Sequence, residues 1–212
     1  MTITNEDNME LMARYEDNYF DLAIIDAPYG IGIGMITNTQ PRKRKKRKEN
    51  KYQKKNWDNK QPTKDYWRNI FRTSKNQIIF GANYFTSYLP TAKGWVFWDK
   101  KNACPSFSDG EFIFTSFNKV AKLVTYSSKL GTNGGKKRIH PCEKPIKLYE
   151  WLLMNYAKEG DKILDTHLGS GSLAIACHNL GYDLTACELD KEYFNAAMKR
   201  LKQHQQQLRL WH

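Results

Sequence analysis

An aspartate that ends an apolar run and precedes a proline and a tyrosine is equipped to hold an amine. Asp21 to Asp26 (DLAIID) is such a run, and Asp26-Ala27-Pro28-Tyr29 carries it into a turn at Gly30. A carboxylate at a strand end accepts a hydrogen bond from an exocyclic amine. Pro28 biases Ala27 toward an extended backbone that can aim its carbonyl at the same amine, and Tyr29 offers a ring for stacking. The constellation suits a nucleic-acid base swung out of its stack. Taken alone, however, it reads more simply as an ordinary strand-ending turn.

The second group is Lys162 to Ser172 (KILDTHLGSGS), a strand opening into a glycine turn and then a helix. Gly169 and Gly171 permit positive φ and close approach of backbone to a ligand, and the helix start offers unpaired amides. Glu188, about twenty residues further on, ends the next strand, where an acid can accept both hydroxyls of a ribose. The third glycine of a GxGxxG fingerprint is missing. That disfavours a dinucleotide and favours a nucleoside-bearing cofactor without a pyrophosphate.

The elements that must position these groups follow from periodicity and punctuation. Strands are expected at 1–4, 21–26, 77–80, 94–98, 111–114 and 121–126, with helices at 8–15 and 63–75. Beyond a flexible Gly131 to Lys137, the chain alternates: helix 145–157, strand 162–165, helix 172–180, strand 184–187, and a last helix capped by Asp190 and reaching about residue 207. Alternation of this kind predicts an α/β fold whose mostly parallel sheet is covered by helices on both faces. We read residues 1–212 as a single domain, with a mobile loop at about 31–62 that has no periodicity.

Composition agrees with a globule. Of 212 residues 40% are hydrophobic, and 13 glycines bring the apolar share into the ordinary range. No run approaches the roughly 18 apolar residues of a membrane helix, and the acids within Met1 to Glu10 are unlike a signal peptide. An intracellular soluble protein is therefore expected. Cys104, Cys142, Cys177 and Cys187 form no CxxC pair, so reduced thiols and no metal are expected, and His140, His167 and His178 complete no ligand spacing. The net charge of +12 is concentrated: Arg42, Lys43, Arg44, Lys45, Lys46, Arg47 and Lys48 run consecutively, and Lys51, Lys54, Lys55 and Lys60 follow. Against Glu49 and Asp58, this stretch holds nine of the twelve net charges. Such a run clamps a polyanion through counterion release, and it is equally what a solvated loop or a localisation signal contains. Trp57, Tyr66 and Trp67 beside it could wedge into the gap left by a flipped base, but are read as core.

Asp26-Ala27-Pro28-Tyr29 resembles the Asp-Pro-Pro-Tyr motif of the S-adenosylmethionine-dependent DNA amino-methyltransferases, and Asp165 to Ser172 (DTHLGSGS) is similar to their DPFxGSGT motif. His140-Pro141-Cys142-Glu143-Lys144-Pro145 resembles the family's HPxxKP segment, and Glu188, Tyr193 and Ala197 fit its GxExxxxYxxxA stretch. The order, catalytic motif first and glycine motif last, is that of the permuted β class. The resemblance runs from Ile3 to about Leu201. It implies a Rossmann-like class I methyltransferase fold, circularly permuted so that the third strand lies at the amino terminus.

It also implies roles. Asp26, Ala27, Pro28 and Tyr29 would hold the target base, and Asp7 would contact the cofactor's adenine. Asp165, Gly169, Ser170 and Gly171 would line its methionine part, Glu188 its ribose, and Lys144 and Pro145 would wall the pocket. Ala27, Thr166 and His167 depart from the family pattern. The expected activity is methyl transfer from S-adenosylmethionine to adenine N6 in DNA, in the cytoplasm of a bacterial or phage-infected cell. Cytosine N4 is the alternative acceptor, and a DNA-binding protein with a decayed centre the non-enzyme alternative. Asp26 and the basic loop argue against a glutamine-amide methyltransferase. A homodimer and a restriction endonuclease partner are compatible with the family.

Overall fold

Phe20–Ile25 is almost unbrokenly apolar because it has a strand on each side and helices on both faces. The computed structural model describes residues 1–32, 55–101, 108–127 and 139–207. The strands are β1 (Thr2–Thr4), β2 (Phe20–Ile25), β3 (Ser74–Phe80), β4 (Trp95–Asp99), β5 (Gly110–Thr115), β6 (Lys122–Thr125), β7 (Lys162–Asp165) and β8 (Asp183–Cys187). The helices are α1 (Asn8–Ala13), α2 (Lys64–Thr73), α3 (Ile146–Tyr156), α4 (Ser172–Leu180) and α5 (Lys191–Gln205). Arg42 to Lys48 and Cys104 lie outside the described residues, as does most of the loop expected at 31–62.

One eight-stranded sheet has the order β1-β8-β7-β2-β3-β5-β4-β6. Every neighbouring pair is parallel except the two made by β5, which runs antiparallel to β3 and β4. The amino-terminal strand β1 pairs with β8, Thr2 opposite Thr185, so the first strand of the chain forms the sheet edge beyond the last. That is the permuted class I arrangement.

Alternation along β2 divides the core. Leu22 and Ile24 join Ile78, Phe80 and the apolar sides of α3 and α4 on one face. Ala23 and Ile25 join Ile79, Leu11, Tyr66, Trp67 and Ile70 on the other, under α1 and α2. Each large side chain so buried contributes about 1.5–3 kcal/mol. Tyr66 and Trp67 are therefore core, as expected.

Side-chain caps fix where three of the helices begin. Thr63 accepts from the Tyr66 amide at 3.3 Å at the start of α2, and Asp190 accepts from Glu192 and Tyr193 at 2.9 and 3.0 Å at the start of α5. Asp7 caps α1 through Met9 at 2.7 Å. No helix among the described residues is long and apolar enough to cross a membrane.

Candidate active site

The two motifs meet because their strands are neighbours. β2 and β7 pair in parallel, Leu22 opposite Ile163 and Ala23 opposite Leu164, so both chains leave the sheet at the same edge. Ligands bind at the carboxyl ends of strands in such sheets. Here those ends open into a cavity of about 310 Å³, within the usual size of a small-molecule site.

Asp26 and Pro28 line it from one side, and Thr166, His167, Leu168, Gly169 and Ser170 from the other. Lys144 and Glu188 also reach it. Asp165 does not: it lies just behind this wall, 4% exposed, and accepts the His167 amide at 3.0 Å. Burial raises its carboxyl to about 7. Gly171 is likewise behind the lining, at the start of α4 with φ +74°, where an added Cβ would come within 3.2 Å of the Ala197 Cβ. Near the expected adenine position, Glu6 and Asn8 face the cavity while Asp7 serves as the α1 cap. Pro145 sits at the start of α3 without lining the cavity.

Glu188 is held on both oxygens, accepting the Gly169 amide on Oε2 and the Asp190 amide on Oε1, each at 2.9 Å. Its second lone pairs are left for a polyol. Burial raises this carboxyl as well, against the two amide bonds that lower it.

Asp26 carries a network that the sequence did not reveal. Its Oδ1 lies 2.5 Å from the Lys144 ammonium and 3.0 Å from the Tyr29 hydroxyl. Glu111, on β5 and buried, lies 2.5 Å from the same hydroxyl and 3.4 Å from Lys144, and pairs with Lys100 at 2.8 Å. Burial raises Asp26, with Lys144 opposing and Glu111 reinforcing the rise. Burial would raise Glu111 too, but Lys144 and Lys100 outweigh it and hold that carboxyl low. Burial would lower Lys144, but its two carboxylates prevail and keep it charged.

Tyr29 is thereby drawn inward. Its ring stacks on Tyr84 with centroids 5.0 Å apart and planes 14° apart, and meets Phe85 edge-on. Gly81, at φ +60°, makes room: a Cβ there would lie 2.4 Å from the Tyr29 ring.

At the far side of the cavity, Trp57 and Tyr193 flank His140, with centroids 4.8 and 4.5 Å from it. Trp57 therefore lines the site and is not a core residue like its neighbours. His140 is half-buried, and the loss of hydration lowers it to about 3 and His167 to about 4, so both rings are neutral near neutral pH. His167 contacts Asn8, Thr166 and Tyr66, which fits packing better than proton transfer. Lys55 pairs with Asp190 and Glu192 at 2.6 and 2.7 Å, so its charge is matched within the protein and leaves the sum available to a polyanion. Among the described residues, no group of His, Cys, Asp and Glu could hold a metal ion.

A family model described as DNA methylase, of the N6/N4 type, matches residues 35–199. The chain belongs to this family of DNA methylases. Among its relatives, the Type II methyltransferase M2.DpnII of Streptococcus pneumoniae is 22% identical over 95% of this chain and 90% of its own length. M.HpaI of Haemophilus parainfluenzae is 37% identical over a shorter stretch, 31% of this chain and only 21% of that protein. Of solved structures, M1.HpyAVI in complex with SAM superposes on the methylase with a TM-score of 0.62 at 19% identity, covering 94% of this chain and 98% of that one. The cytosine-N4-specific PvuII methyltransferase does so with 0.60 at 13% identity, covering 95% and 90%. At these identities the likeness is one of fold, and it includes a cytosine-N4-specific enzyme.

Proposed function

We propose that this methylase transfers a methyl group from S-adenosylmethionine to the exocyclic N6 of an adenine flipped out of DNA. The observation that carries the reading is the shared cavity, with the Asp26 carboxylate and the Gly169 turn entering it from adjacent strand ends. The residues suit the cofactor: Glu188 for the ribose, Gly169 and Ser170 for close approach, and the buried charge of Asp165 behind them for a cationic amino acid. S-adenosylmethionine supplies a methyl on a sulfonium, a good leaving group.

What the protein adds is alignment and electrostatics. An exocyclic amine conjugated to its ring is a weak nucleophile. Hydrogen bonds from it to Asp26 and the Ala27 carbonyl localise its lone pair as the new N–C bond forms, and Asp26 is placed to receive the proton the amine then sheds. Adenine is preferred over cytosine because family members carrying Asp at this position act chiefly on adenine. The likeness to a cytosine-N4-specific enzyme keeps N4 as the second reading.

The deciding experiment incubates the purified protein with unmethylated DNA and labelled S-adenosylmethionine, digests the product to nucleosides and identifies it by mass spectrometry beside Asp26→Ala. N6-methyldeoxyadenosine lost in the variant supports the reading, and N4-methyldeoxycytidine replaces it with the second. Cofactor binding without any methylated nucleoside supports a decayed centre. A restriction endonuclease partner, a homodimer and a cytoplasmic location belong to the same proposal, the first because the curated relatives are Type II methyltransferases.

Cofactor affinity should depend on pH. The negative charge of Asp165 is present above about 7 and lost below it, and Glu188 titrates above its ordinary value. A cationic cofactor should therefore bind more weakly as pH falls from 8 to 6, by about tenfold if one charge contact of about 1.4 kcal/mol is lost. Calorimetric titration across that range measures it, and an affinity independent of pH would refute the assignment.

Arg42 to Lys48 are proposed as the phosphate contacts. Replacing all seven with glutamine should flatten the dependence of DNA affinity on salt by up to about six in logarithmic slope, with cofactor affinity retained. An unaltered slope would remove this segment from the DNA interface.

A further inference from the structure

We propose that Glu111 is a positioning residue for methyl transfer: it takes the Tyr29 hydroxyl hydrogen and shares the Lys144 ammonium with Asp26, and so keeps an acceptor oxygen of Asp26 for the substrate amine. The inference rests on the methyl-transfer reading and adds to it a residue far from either motif.

Counting hydrogens carries the argument. Tyr29 has one hydroxyl hydrogen and two carboxylates within reach, Glu111 at 2.5 Å and Asp26 at 3.0 Å. The shorter contact takes it. Lys144 has three hydrogens and three acceptors: Asp26 at 2.5 Å, and Glu111 and the Tyr29 oxygen each at 3.4 Å. Both contacts to Asp26 are made at Oδ1, so Oδ2 is the oxygen for the amine. Without the Glu111 charge, the Tyr29 hydrogen turns to Asp26 and its carboxylate becomes a poorer acceptor.

The groups facing Asp26 allow a signed test. Glu111 from β5 raises it, and Lys144, preceding α3, lowers it; Tyr29, following β2, lowers it through its hydroxyl. Lys100, following β4, acts through Glu111. Cys142 is pushed up to about 12, and Tyr66 from α2 and Tyr149 from α3 are also raised, so these stay protonated at neutral pH. Asp165 at the end of β7 titrates near 7, and it is common to the proteins compared.

The experiment compares wild type with Glu111→Gln. Expected are a fall in kcat of about tenfold to a hundredfold, as for a small misalignment of reacting groups, and a KM for S-adenosylmethionine within about twofold. The Asp26 carboxyl, followed by carbon-detected NMR without substrate and assigned by its absence from Asp26→Asn, should titrate about one pH unit lower. A structural role alone would lower the Tm and leave kcat of the folded enzyme unchanged, even where the midpoint moves. An unchanged kcat, or a fall in kcat without the downward shift, overturns the proposal. If Glu111→Gln does not fold, Lys144→Gln should move the midpoint upward by a similar amount, and no upward shift overturns it. A wild type that binds cofactor and transfers no methyl group overturns the methyl-transfer reading; the network then stands or falls on the midpoint.

Discussion

Asp26→Ala should lower methyl transfer by about a hundredfold to a thousandfold, the loss typical of removing one preorganised polar group from a reacting centre. The loss should fall on kcat, because Asp26 is proposed to meet the amine and not the cofactor. S-adenosylmethionine affinity should stay within about threefold, since Glu188 and the Gly169 turn are untouched. The variant also removes the nearest partner of a buried ammonium. Glu111 remains 3.4 Å from Lys144, so that charge keeps an anionic neighbour and the fold should survive with a lowered Tm. Single-turnover methyl transfer beside calorimetric cofactor binding separates the two effects. A variant retaining more than about a tenth of wild-type turnover would exclude Asp26 from the chemistry.

Gly81→Val should be nearly as damaging although Gly81 belongs to neither motif. The residue needs φ +60°, and its Cβ would lie 2.4 Å from the Tyr29 ring. A β-branched side chain meets both obstacles. The backbone strain costs about 1–3 kcal/mol, and overpacking adds about 1–3 kcal/mol. To relieve the clash, Tyr29 must leave Tyr84 and with it the contacts to Glu111 and Asp26. Turnover should fall by about a hundredfold, with DNA and cofactor affinities nearly retained and a lower midpoint in thermal unfolding. Wild-type turnover in this variant would show that Tyr29 can move without consequence.

The sequence made the sheet ends legible because the chemistry there is punctuated. The apolar run before Asp26 stops at Pro28 and Gly30, and β7 and α4 flank a glycine turn, so their limits could be read to the residue. At the junction of α2 and β3 the reading failed locally. The helix was expected to reach Lys75, yet β3 begins at Ser74. Thr73 and Ser74 turn their hydroxyls back onto the carbonyls of Asn69 and Ile70, closing the helix with no glycine or proline to signal it.

Glu111 was missed for a different reason. An acid at the edge of an apolar strand reads as solvent-facing, and its partners Lys100, Lys144 and Tyr29 are distant in sequence. Only the insertion of antiparallel β5 between β3 and β4 brings them together, and strand order leaves no periodic trace. Lys144 was assigned to the cofactor wall from the resemblance. It does line the cavity, but its ammonium is committed to the two carboxylates.

The pairing of β2 with β7 has a bearing on how this protein is made. β2 is complete once Ile25 has been synthesised, and β3 can join it some fifty residues later. Its other neighbour lies in the last quarter of the chain. Until residues 162–165 leave the ribosome, one edge of an apolar strand is unpaired, and such an edge is a template for association between nascent chains. Contacts this distant also slow folding. Yield on overexpression should therefore respond to slower synthesis at low temperature and to added chaperone, with the gain arising in the interval between the two halves of the site.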